Sequence, residues 1–257
     1  MKWTFLCLSL VILIILFIVM VRCYFSRYQL EPFIPHNKIA RRIDLLNDLK
    51  TGDLVLFRWE GYKPKGYGME VFANELRGAV PSHIGLLLKK ENGKLYCVES
   101  TIWDWASGKV PCIYEPGKKQ GTKVCDFEEM VRIYPGQIFV RKLNKPLSQS
   151  MVDKLDKLVQ SHIGGDFDMS IRNVSGGVSA IGLYDLGMRG LASKWRKWVK
   201  KPGTYCSEYI ARLLQNIGVL SKNRPDWSYA PYMFTKKSPH NLQIIDGYQY
   251  GKEIQLT

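Results

Sequence analysis

The first apolar pattern in the chain is an almost unbroken run from Trp3 to Val21, too long and too free of charge for a core element. Nineteen residues at helical rise span about 28 Å, close to the hydrocarbon thickness of a bilayer, so residues 1–22 are expected to form a membrane anchor. A cleaved signal peptide would carry a small-x-small site after a shorter apolar centre, and here Arg22-Cys23-Tyr24-Phe25 follows directly. Residues 23–49 read as a linker and an amphipathic helix. Glu31-Pro32-Phe33-Ile34-Pro35 stiffens the linker, and the helix from Asn37 to Lys50 carries the stripe Ile39, Ile43 and Leu46.

From residue 50 to 257 the pattern is that of one α+β domain. Thr51-Gly52-Asp53 turns the chain into an apolar strand, Leu54 to Trp59. A glycine-rich loop (61–68) and a short helix (69–76) follow. Ser82 to Leu88 and Leu95 to Ser100 are the next strands, joined by a hairpin at Glu91-Asn92-Gly93-Lys94. The stretch 102–134 reads as irregular. Gln137 to Leu143 is a further strand, and Ser148 caps a helix with Met151, Leu155, Leu158 and Val159 on one face. Ile181 to Val199 is amphipathic, and Leu242 to Ile245 is expected to close the sheet.

The hairpin register decides where one carboxylate goes. A two-residue Asn92-Gly93 turn would put Glu99 on the same face as Ile84, Leu86 and Leu88, burying it unpaired at a cost of several kcal/mol. A three-residue loop with Gly93 left-handed shifts the register by one. His83, Gly85, Leu87, Cys97 and Glu99 then share a face, with Gly85 opposite Glu99 and room for the carboxylate to lean toward His83.

Thr204 to Gln215 reads as an amphipathic helix with Tyr209, Ile210, Leu213, Leu214 and Ile217 inward. Pro202-Gly203 precedes it, Gly218 ends it, and Cys206 falls in its first turn. There, unpaired backbone N–H groups and the helix dipole favour a thiolate and an oxyanion. A buried structural cysteine is the competing reading of the same residue. Glu208, two positions on, is expected to pair with a nearby base, Asp53 and Asp168 to serve turns, and His162 to sit at a helix end. His36 and His240 neighbour prolines in loops.

Gly52-Asp53-Leu54-Val55, Ser82-His83-Ile84-Gly85, Val98-Glu99-Ser100, Gly165-Asp166-Phe167-Asp168, Tyr205-Cys206-Ser207-Glu208 and Tyr229-Ala230-Pro231 occur in an order that resembles the circularly permuted papain-like proteins of NlpC type. That group includes YiiX-like bacterial proteins, a poxvirus member and relatives of lecithin–retinol acyltransferase. The resemblance implies a central antiparallel sheet packed on the cysteine helix. It also implies a thiol hydrolase or acyltransferase acting on an amide or ester, with Cys206 as nucleophile, His83 as general base and Glu99 as the orienting third residue. It implies neither a cofactor nor a metal. The anchor and the segment 170–201 depart from it.

Composition changes the picture in two places. With 46% hydrophobic and 23% charged residues the domain is globular, but a net charge of +14 calls for an anionic partner. No nucleic-acid module is recognisable, so a nucleic acid is not the expected one. Trp195 and Trp198 among Lys194, Arg196, Lys197, Lys200 and Lys201 suit an interfacial helix on anionic lipid, which favours lipid esters or acyl-amides over peptides as substrate. Lys2 alone precedes the apolar run, while Arg22, Arg27, Lys38, Arg41 and Arg42 follow it. The charge asymmetry sets the domain on the cytoplasmic side, or on a virion membrane. The six cysteines contain no C-x-x-C pair; Cys97, Cys112 and Cys125 could form a disulfide, but their spacing carries no framework signal, and free thiols in a reducing compartment are the favoured expectation. A catalytically idle, membrane-anchored binding protein that keeps the fold is the alternative function.

Overall fold

The computed structural model describes residues 42–58, 81–101, 110–113, 121–163, 179–199, 204–238, 242–245 and 247–257, with isolated positions 12, 15, 16 and 19. Its frame is a six-stranded antiparallel sheet. The strands are β1 (Leu54–Arg58), β2 (His83–Lys89), β3 (Leu95–Thr101), β4 (Gly121–Asp126), β5 (Gln137–Leu143) and β6 (Tyr250–Gln255). Their order is β4-β3-β2-β1-β5-β6, which puts β1 and β2 at the centre. Those two strands are near-continuous apolar runs because both of their faces are covered.

On one face Leu54, Leu56, Ile84, Leu86, Val98 and Phe139 pack against α2 (Gln149–His162) and α4 (Cys206–Asn216). On the other, Val55, Phe57, Leu87, Cys97, Ile138 and Val140 pack against α1 (Phe127–Ile133), Tyr134 and Leu49. Burying each such side chain is worth roughly 1.5–3 kcal/mol, so the two cores hold the sheet rigid from both sides.

The stretch 102–134 is less irregular than its sequence suggests. β4 pairs with β3 from Tyr96↔Asp126 to Thr101↔Gly121, and α1 follows at once. Polar Thr122, Lys123 and Asp126 hide the strand's apolar period, and pairing with β3 supplies what the pattern lacks. α1 did carry a signal: Asp126 accepts from the Glu129 N–H at 3.2 Å, an acidic N-cap three residues before a glutamate. The closing strand is also corrected. Residues 242–245 contribute an isolated bridge, Leu220↔Ile244, and the edge of the sheet is β6 instead. An edge strand needs few inward apolar residues, and β6 buries only two of its six, Glu253 and Gln255.

Of the expected helix from Asn37 to Lys50, a single 3₁₀ segment, Ile43–Asp48, is seen, and residues 37–41 lie outside the described residues. The amphipathic stretch 181–199 is split. A helical segment 179–185 stops at Gly187, whose φ of +82° only glycine takes readily, and α3 (Arg189–Val199) begins after it.

Free thiols were expected at Cys112 and Cys125, and the structure joins them in a disulfide with Cα atoms 4.0 Å apart. Residues 111–113 run alongside β4, where Ile113 N–H donates to Val124 O and Asp126 N–H to Pro111 O, so the two cysteines face each other across a bridge. Cys97 and Cys206 are free. The anchor proposed for residues 1–22 lies outside the described residues, except that Ile12, Ile15, Leu16 and Val19 are helical and exposed. Among the described residues no helix is long and apolar enough to cross a membrane.

Candidate active site

The hairpin between β2 and β3 has the three-residue loop Glu91-Asn92-Gly93, closed by Lys90 N–H to Lys94 O at 3.0 Å, with Gly93 at φ +77°. The pairing Leu86↔Val98, Leu87↔Cys97 carries on to place Gly85 beside Glu99. Glu99 is buried on the second core's face, and His83 Nε2–H donates to its Oε2 at 2.7 Å. A carboxylate can only accept, so Nε2 keeps the proton and Nδ1 is left for a second partner. Phe57 lies 5.3 Å from the imidazole, centroid to centroid, and closes one side of it.

Cys206 is the other group that acts on the ring: its sulfur lies near enough to His83 to shift the imidazole, although Cys206 belongs to the opposite core. The two meet because His83 is the first residue of β2 and Cys206 the first of α4, so strand start and helix start converge. Ser100 Oγ–H donates to Thr204 O at 3.0 Å and ties the entry of α4 to β3 next to Glu99. Burial pulls the His83 pKa down. The neighbouring Cys206 sulfur and Glu99 carboxylate outweigh it and push the imidazole up to about 10. An imidazolium beside a sulfur at a helix N-terminus is the arrangement that activates a thiol.

α4 is held as firmly as the strands. Tyr209, Ile210, Leu213 and Leu214 are all buried, and Gly218 at φ +81° ends the helix. Glu208 is fully buried and bonds two arginines: Arg196 Nη2 on α3 at 2.8 Å and Arg212 Nη2 at 2.9 Å. Arg212 Nε reaches Asp226 Oδ2 at 2.6 Å, and the Arg196 guanidinium lies 5.3 Å above the Tyr205 ring. Ser207 Oγ–H donates to Tyr229 O at 2.8 Å, and the Tyr205 hydroxyl to Trp227 O. Tyr205, Ser207 and Glu208, the neighbours of Cys206 in the first turn, are thereby held in place.

The remaining sequence candidates are structural or undescribed. Asp53 accepts from Lys50 N–H at 3.0 Å and Leu143 N–H at 2.8 Å, stapling the turn before β1 to β5; burial raises its pKa against those two bonds. The His162 ring stands edge-on to Tyr209 at 5.8 Å. Asp168, His36 and His240 lie outside the described residues. Among the described residues no group of three or more His, Cys, Asp or Glu side chains could hold a metal ion. A cavity of about 510 Å³ lined by Tyr184, Arg189, Asn223, Arg224 and Gln243 includes none of the three site residues.

Sequence reasoning misses Tyr134, which is buried close enough to Glu99 that burial and then the carboxylate raise its hydroxyl pKa; nothing local in the sequence marks it. Cys97 lies on the expected face, but its sulfur fills the space over Gly85 expected for Glu99. A Cβ on Gly85 would sit 2.4 Å from Cys97 Sγ and 3.2 Å from Val98 O. Gly85→Ala should therefore cost about 1–3 kcal/mol by overpacking, and Gly85→Ala/Cys97→Ala should recover most of it. Thermal melting of the three proteins decides this, and a single variant as stable as wild type would show that the thiol can swing away freely.

No family model matches the chain. Over 100 residues it is 29% identical to an uncharacterized protein, R372, of Acanthamoeba polyphaga mimivirus, and the match covers 38% of this chain and 40% of that protein. The chain thus spans well under half the length of this relative. Among solved structures it is similar to one described as the metalloprotein YiiX from Escherichia coli O157:H7, at a TM-score of 0.35 and 18% identity, over 65% of this chain and 66% of that one. At that TM-score the site stands on its own geometry.

Proposed function

We propose that this chain is a thiol hydrolase or acyltransferase of permuted papain-like type, acting on an amide or ester carbonyl and tethered to a membrane by residues 1–22. The observation that carries the reading is the His83 imidazole, hydrogen-bonded to buried Glu99 and lying beside the Cys206 sulfur at the start of an 11-residue helix. In this reading the thiolate attacks the carbonyl carbon and the carbonyl oxygen takes the electron pair, met by the N–H of Cys206. The C–N or C–O bond then breaks, and the His83 imidazolium gives its proton to the leaving group, leaving a thioester on Cys206. Water or an acceptor hydroxyl or amine loses a proton to His83, attacks the thioester, and the thiolate leaves. Glu99 holds the ring's tautomer throughout. The disulfide removes the free-thiol argument for a reducing compartment, so the charge asymmetry about the apolar run alone supports a domain on the cytoplasmic side or on a virion membrane.

Alkylation of the full chain by iodoacetamide, read peptide by peptide in a mass spectrometer, tests the pair. Near pH 7 Cys206 should react on the order of tenfold faster than in His83→Ala, which lacks the neighbouring imidazolium. Because the imidazole stays protonated up to about 10, proton donation to the leaving group should fail only above that value. Equal labelling rates in the two proteins at neutral pH would remove the activated thiol and the proposal with it.

A further inference from the structure

α3 has a wider apolar arc than the domain covers. Ala192, Arg196 and Val199 are its buried positions, at i, i+4 and i+7. Beside them Met188, Leu191, Trp195 and Trp198, at i, i+3, i+7 and i+10, make a second stripe that faces outward. Leu191 is 53% exposed and Trp198 64%, and Leu186, just before the helix, is 75% exposed. The rings of Trp195 and Trp198 pack at 5.1 Å into one broad aromatic surface. Exposed apolar patches of this kind mark interaction sites.

Charge identifies the occupant. Lys194 and Lys197 are exposed on α3, Lys200 and Lys201 follow, and no acidic side chain occurs from Leu186 to Lys201. Arg196, grouped with these cations in the sequence, is instead turned inward to Glu208. Indole rings flanked by lysines match the headgroup depth of an anionic bilayer, where each lysine gains about 1 kcal/mol. The helical positions of the N-terminal apolar run, Ile12, Ile15, Leu16 and Val19, are likewise exposed and ask for the same solvent.

We propose that the outward stripe of α3 docks flat on an anionic membrane surface. The Arg196–Glu208 ion pair clamps the inner face of α3 to the helix that carries Cys206, so docking holds the thiol at a set orientation to the bilayer. The surface holds or fails independently of the chemistry at Cys206.

The test uses the full chain in lipid nanodiscs of phosphatidylcholine alone or mixed with phosphatidylserine, with hydrogen exchange followed over residues 186–199. Exchange should be slower in the phosphatidylserine discs than in the neutral ones. Lys194→Ala and Lys197→Ala should each reduce that protection roughly fivefold, the factor that corresponds to one lost lysine–headgroup attraction. Trp195→Ala/Trp198→Ala should abolish it. Equal exchange in both discs overturns the docking while leaving the anchor intact. Protection that appears in detergent without lipid and grows with protein concentration overturns it in favour of a contact between copies. A chain that stays in solution beside anionic discs overturns both the docking and the anchor.

Discussion

Replacing Cys206 by alanine should abolish acyl transfer from an activated ester, and His83→Ala should lower kcat/KM by roughly four orders of magnitude. The two losses have one origin. The sulfur is a nucleophile only as thiolate, and the His83 imidazolium beside it favours that form. Stability should barely follow activity. Cys206→Ala removes one sulfur from the edge of a core and should cost about 1–2 kcal/mol. Glu99→Gln can still accept a hydrogen bond but not balance the imidazolium, so it should slow turnover by less than His83→Ala and lower the pH at which activity fails. The measurements are ester turnover and thermal melting on the same preparations. Full turnover in Cys206→Ala would leave the reaction without a nucleophile. A large common drop in melting temperature would make the loss one of folding.

The largest expected effect on stability belongs to Glu208→Ala. Its carboxylate is fully buried and answers two arginines, one of which, Arg196, is itself 2% exposed. Removing it strands a buried guanidinium and should cost about 3–5 kcal/mol. Arg196→Met/Glu208→Leu, which removes both charges and keeps volume, should recover much of that loss. Melting of the three proteins decides the matter. If Glu208→Ala lies within about 1 kcal/mol of wild type, water or backbone groups solvate Arg196 and the clamp between α3 and α4 is weaker than its geometry implies.

Several features were determined by the sequence alone. The strands Leu54 to Arg58 and His83 to Lys89 are apolar on both faces, and a segment of that kind has few alternatives to a sheet centre. The hairpin register followed from a single energetic comparison, because slipping by one residue would bury Glu99 without a partner. The α4 stripe and its Gly218 stop are equally local.

Other features were decided only by the tertiary structure. β4 and β6 carry too few apolar residues to be seen without the neighbours they pair with. The disulfide depends on residues 111–113 lying beside β4, and no spacing encodes that contact. Arg196 looks like one surface cation among five, and only the helix's rotation against α4 turns it inward. The same holds for the site. His83 and Cys206 are 123 positions apart and belong to opposite cores, so their meeting depends on where a strand and a helix begin in space. Periodicity sets which face of an element is buried, and the ends of elements meet only through the packing of the whole domain.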